Sequence, residues 1–141
     1  MEIEKLIEDM KKGSGVKRAE AASELGKLKD KKALNALIDA LEDKNMGVRS
    51  NAAFALAELG EIEAVPHLVR ILKDPEERVR KSAAKALGML SAKSAIPALS
   101  NALSDESYRV RKSAARSLGQ IGGELAIQAL EKALTDSDRI V

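Results

Sequence analysis

The sequence predicts an all-α chain, an α-solenoid of antiparallel helix pairs with about nine helices in its 141 residues. Three observations lead there. Leu and Ala dominate beside 33% charged residues, and Ala, Leu, Lys, Arg and Glu carry the lowest helix cost. No stretch alternates Val, Ile, Thr and aromatics as a strand would, and Phe54 and Tyr108 are the only aromatics. Above all, the chain repeats itself at a fixed interval, which marks stacked supersecondary units.

The interval is thirty-one residues. Val48-Arg49-Ser50-Asn51-Ala52-Ala53 returns as Val79 to Ala84 and again as Val110 to Ala115, with a weaker copy at Lys17 to Ala22. Leu25, Leu56, Leu87 and Leu118 share the period. So do Leu37, Leu68, Leu99, Leu130 and Leu41, Leu72, Leu103, Leu134. Leu6 and Met10 extend the last two series backwards, and no gap is needed.

The elements follow in order. Met1 to Lys12 is charged throughout, with Leu6 and Met10 as its share of the core rows. Lys17 to Leu25 supplies a second helix, and each later repeat gives another such pair. In the third, Ala64, Val65, Leu68, Ile71 and Leu72 are spaced for one buried helical face. Pro66 and Pro97 fall in the first turn of their helices, where a missing N–H costs little. Asp74-Pro75-Glu76-Glu77 then restarts the chain, read as an Asp N-cap, Pro at the first helical position and acids in the first turn. The next helix turns Val79, Ala83, Ala86, Leu87 and Leu90 inward. Gly60 and Gly122-Gly123 end the equivalent helices. A last helix is expected near 124–135, and the tail Asp136 to Val141 would open another unit.

The Asp followed six residues later by Arg (Asp43/Arg49, Asp74/Arg80, Asp105/Arg111) and the Val-Arg-x-x-Ala-Ala-x-x-Leu-Gly run make the chain resemble HEAT repeats, in the short form of the phycobilisome-lyase type. The resemblance covers essentially the whole chain and implies a right-handed α/α superhelix. On the HEAT phase the units are about 1–29, 30–60, 61–91 and 92–122, with the terminal helix in 123–141. It also implies that the Asp and Arg residues link successive turns. The first unit departs, with Lys12 for the Asp and Lys17 for the Val, as a capping repeat would. The Thr-Pro-Leu-His of ankyrin repeats and the Trp and Tyr of TPR units are missing.

In HEAT-like stacks the second helices line the concave surface, and their outward arcs are therefore the candidate binding face. In the second unit that arc holds Gly47, Ser50, Asn51, Phe54 and Glu58. Its counterparts are Arg78, Lys81, Ser82, Lys85 and Met89, then Arg109, Lys112, Ser113, Arg116 and Gln120. Residues 78–116 carry nine basic and two acidic side chains, and six of the nine lie on this arc. Phe54 stands where the other units have Ser23, Lys85 and Arg116, and Met46 and Tyr108 share a position at the groove edge. The expected partner-binding residues are Met46, Ser50, Phe54, Arg78, Lys81, Lys85, Tyr108, Arg109, Lys112 and Arg116. An exposed aromatic among cations is a binding-surface composition. It points to a protein-interaction scaffold for an anionic peptide or protein surface. The alternatives are nucleic-acid binding on the same basic face, or a non-catalytic subunit or relative of a bilin lyase.

No enzyme chemistry is legible. Cysteine is absent, which removes thiol nucleophiles and Cys-based metal sites. His67 is the single histidine, too few for a Ser-His-Asp set or the His-Glu pairs of iron-binding HEAT-like hydroxylases. The Gly clusters lie at helix ends without the Lys-Ser/Thr of a phosphate loop. No catalytic residue, metal or cofactor is expected. A net charge of +2 gives no global field for nucleic acid. The charged N-terminus is not a signal peptide, and no apolar run approaches the roughly 20 residues of a membrane helix. A cytoplasmic protein is expected, and few Asn and Gln beside much Lys and Glu suggest a thermophilic source.

Overall fold

The computed structural model describes residues 2–137, with side chains up to residue 133. Nine α-helices and no strand occur among them. The first helices of the pairs are α1 (Glu2–Lys12), α3 (Leu34–Ala40), α5 (Val65–Ile71), α7 (Ile96–Ala102) and α9 (Gly123–Ser137). The second helices are α2 (Gly15–Leu28), α4 (Met46–Leu59), α6 (Glu77–Met89) and α8 (Tyr108–Ile121). A single 3-10 turn leads into each of α3, α5 and α7. Pro66 and Pro97 sit in the first turns of α5 and α7, as their missing N–H allows. Gly60 ends α4 with φ 78°, a conformation glycine adopts without steric cost. α9 runs slightly beyond the expected 124–135, through Asp136 and Ser137, where the sequence would open a new unit. Residues 138–141 of that tail lie outside the described residues.

The leucine rows form the core. Leu25, Leu56, Leu87 and Leu118 from the second helices and Leu37, Leu68 and Leu99 from the first are fully buried, as are Val48, Val79 and Val110. One continuous cluster therefore runs along the stack, each pair covering the face its neighbour exposes. The row fades towards the C-terminal end, where Leu103 and Leu130 are only partly buried and Leu125 is exposed.

The second helices pack directly on one another in chain order, whereas α3, α5 and α7 hardly meet and lie mainly on their own partners. Small side chains set this spacing. A Cβ built on Gly26 of α2 would stand 2.7 Å from the Ala55 Cα of α4, so only glycine lets the two backbones come so close. Hydrogen bonds stitch the same layer. Asn51 Nδ2 donates to the Ala19 carbonyl at 2.9 Å, and Ser117 Oγ donates to the Ala84 carbonyl at 2.6 Å.

Asp74 is not the N-cap that its place before Pro75 and Glu76 predicts. The cap position of α6 is Glu76, which makes no side-chain cap bond. The Asp74 carboxylate is used elsewhere. Its Oδ1 accepts from the Glu76 N–H at 2.9 Å, pinning the turn, and both oxygens take the Arg49 guanidinium of the preceding pair, at 2.8 and 3.2 Å. Asp43 and Asp105 repeat the arrangement with Asn45 N–H and Arg18, and with Ser107 N–H and Arg80. The caps themselves are Ser14, Asn45 and Ser107, which share the thirty-one-residue period with Glu76.

Each Arg thus bridges two pairs. Arg49 also donates Nη1 to the carbonyl of its own Asp43 at 2.8 Å, and Arg80 does so to Asp74 at 3.0 Å. Burial works to raise the Asp43 pKa, but the hydrogen bonds from Arg18 and the Asn45 N–H, with the Arg18 and Lys44 charges, outweigh it and hold the carboxyl below its ordinary value. The Arg80 guanidinium is in turn held further in its charged form, chiefly by its hydrogen bonds to Asp105. Arg111 keeps the contact to its own unit, Nη1 to the Asp105 carbonyl at 2.7 Å. No carboxylate whose side chain is described pairs with it.

Candidate partner-binding face

Phe54 is 45% exposed, in the middle of α4. Helical rotation puts it there: Val48, Ala52, Leu56 and Leu59 face the core, and Phe54 falls on the opposite side of the 3.6-residue turn. The cations one and two helices further on follow the same geometry. Arg78 and Lys85 on α6 and Arg109, Lys112 and Arg116 on α8 are exposed, and Lys81 is half-buried along its stem, as long cationic side chains commonly are. Met46 and Tyr108 stand exposed at the starts of α4 and α8.

Ser50 departs from the expected outward arc. It is 5% exposed, lying between α4 and α6 with its Oγ 2.6 Å from Ser82 Oγ. Ser113, at the position of Ser82 on α8, is likewise buried. The reason is the close approach of successive second helices, which seals the small side chains at their seam. Larger residues at neighbouring positions must point away.

Phe54, Lys85 and Ser50 are brought together with Ser23, Asn51 and Ser82 around one shallow hollow of about 250 Å³. Met46, Tyr108 and the remaining cations lie outside it. Arg109 approaches Glu77, at 3.9 Å. Arg78, Lys81, Lys85, Lys112 and Arg116 have no ion-pair partner among the described residues. The two helices therefore offer cationic charge that the fold itself does not use.

A larger groove, about 600 Å³, opens between α7 and α9. Ile96, Leu103, Arg111, Leu125 and Lys132 are among its walls. Sequence reasoning did not foresee it. Arg111, held on the carbonyls of Asp105 and Glu106, and the exposed Leu125 mark the place.

No group of three or more His, Asp or Glu is arranged to hold a metal among the described residues. His67 Nδ1 lies 3.4 Å from Arg70 Nη1 on α5, away from the hollow. No described helix is long and apolar enough to cross a membrane.

Stacked helix pairs, one layer of tightly packed second helices and a charge ladder between pairs define a helical repeat solenoid. Family comparison agrees, since the model for HEAT repeats matches residues 3–85 and 65–141. The chain belongs to the HEAT-repeat family. No curated protein matches it. Among solved structures it is similar to phycocyanin lyase in the CpcE–CpcF complex from Nostoc sp. PCC7120, at 29% identity and TM-score 0.63, covering 86% of this chain and 65% of that one. It thus spans just under two thirds of that relative. It is similar to an engineered protein at 26% identity and TM-score 0.67, over 94% of this chain and 68% of the other. Human deoxyhypusine hydroxylase, in complex with glycerol, is similar at 25% identity and TM-score 0.60, over 92% of this chain and 55% of that one. The fold therefore occurs in an enzyme as well as in a lyase complex.

Proposed function

We propose that the chain is a binding scaffold that holds an acidic polypeptide surface along the face of α2, α4, α6 and α8. The observation that carries this reading is the set of cations on α6 and α8 left without carboxylate partners among the described residues. A face meant only to be solvated would gain from mixed charge. Five such like charges on two adjacent helices repel one another and are relieved by an anionic partner. The tight second-helix layer beside the splayed first helices supports a stack that curves towards this face and offers it as a hollow. Phe54 supplies an apolar contact of the kind that concentrates binding energy. The face offers Phe54 and, at its edge outside the hollow, Tyr108, too few and too far apart in the register for the stacked platforms on which single-stranded nucleic acid is held, and this favours polypeptide.

The test is fluorescence anisotropy with a labelled octaglutamate peptide and with single- and double-stranded oligonucleotides at low salt. The peptide is expected to bind, and to lose binding to the Lys81→Glu/Lys85→Glu/Lys112→Glu/Arg116→Glu variant. Failure of the peptide to bind, or equal binding by the variant, overturns the reading. Tighter binding of an oligonucleotide, with a steep fall of affinity in salt, replaces it with nucleic-acid recognition.

A further inference from the structure

The second helices are in register at thirty-one residues, so each position can be followed as a line across the stack. One line runs Ser23, Phe54, Lys85, Arg116. Its neighbour runs Ala19, Ser50, Lys81, Lys112, and a third runs Val16, Gly47, Arg78, Arg109. All three change character at the same place, between α4 and α6. Before it the positions are small or apolar; after it every one is cationic. The hollow of about 250 Å³ sits on this boundary, with Phe54 on one wall and Lys85 on the other. Val16, 71% exposed, extends the apolar side.

Resting on the reading of this face as a site for acidic polypeptide, we infer that the partner segment is bipartite: one apolar side chain seats beside Phe54, and acidic side chains begin one helix further on. A uniformly acidic segment would leave the Phe54 side of the hollow without a complement. A uniformly apolar one would desolvate Lys85 and Arg116 without partners, which is costly. The spacing follows from the fold. Packed helices lie roughly 8–10 Å apart, and an extended chain advances about 3.3 Å per residue. The acids over α6 therefore start about three residues from the apolar anchor, and those over α8 about three residues beyond. The boundary also gives the segment a polarity along the stack, with its apolar end towards α2 and its acidic end towards α8.

Two labelled peptides test this by anisotropy, each in both chain directions. The anchored peptide is Gly-Leu-Gly-Gly-Glu-Glu-Gly-Glu-Glu, and the control carries Gly for its Leu. In one direction the anchored peptide should bind about tenfold tighter, the worth of one partly buried apolar side chain. Phe54→Ser should abolish that gain, so that it binds the anchored and control peptides alike, with helicity by circular dichroism showing that the variant is folded. Binding of the control with no gain from the anchor in either direction overturns the bipartite inference alone. A gain that survives in Phe54→Ser also overturns it. Failure of every peptide to bind removes the reading of the face, and the inference with it.

Discussion

Arg80 of α6 meets Asp105, twenty-five residues on, through Nε to Oδ2 at 2.9 Å and Nη2 to Oδ1 at 3.1 Å. The aspartate six residues before it, Asp74, offers it only a backbone carbonyl. The repeated Asp and Arg therefore pair between successive units, not within one, and each bidentate contact fixes how one helix pair sits on the next.

Arg80→Ala should cost about 3 kcal/mol, because it leaves the largely buried Asp105 carboxylate short of its counter-ion. Arg111→Ala, whose partners among the described side chains and backbone are two carbonyls, should cost about 1 kcal/mol. Urea titrations of the two variants check this. Equal losses would mean that Arg111 has a strong partner of its own.

Stability should fall in acid partly through Asp43. Its carboxyl is held below the ordinary value when folded, so protons bind the unfolded chain more readily. The contribution is complete above the unfolded pKa of about 4 and is lost as the pH falls through the lower, folded value. Asp43→Asn should lose stability at pH 7 and show a shallower decline below about pH 4. Thermal melts from pH 2 to pH 7 measure both.

Gly26→Ala should destabilise by about 1–3 kcal/mol despite the higher helix propensity of alanine, because the new methyl meets, besides the Glu58 carboxylate, the Ala55 Cα at 2.7 Å, which is backbone and cannot swing aside. Gly119→Ala has open space around it and should be stabilising by about 0.5–1 kcal/mol. Denaturant midpoints for the pair separate close packing from propensity.

The binding face should be nearly silent in stability. Phe54→Ser, Lys85→Ser and Arg116→Ser together should shift the unfolding free energy by about 1 kcal/mol or less, since exposed positions contribute little. Leu87→Ala, fully buried, should cost about 2–5 kcal/mol. A large loss from the triple variant in thermal melts would make those side chains part of the core.

The sequence alone determined the helices, their pairing every thirty-one residues and the identity of the core rows. These are properties of one helix and its own turns: the direction of a side chain follows from its place in a 3.6-residue cycle. Leu87 is buried and Phe54 exposed for that reason. What lies opposite each residue was decided by tertiary structure. Asp74 reads locally as a cap, but Arg49 of the preceding pair draws its carboxylate away. Ser50 reads as outward-facing on an isolated helix, but α6 comes close enough for Ser82 to cover it. The open groove beside Arg111 likewise appears only where α7 and α9 are brought together. Distances between helices are set by the small residues at their seams, and only the assembled stack reveals which side chains those distances bury, pair or leave free for a partner.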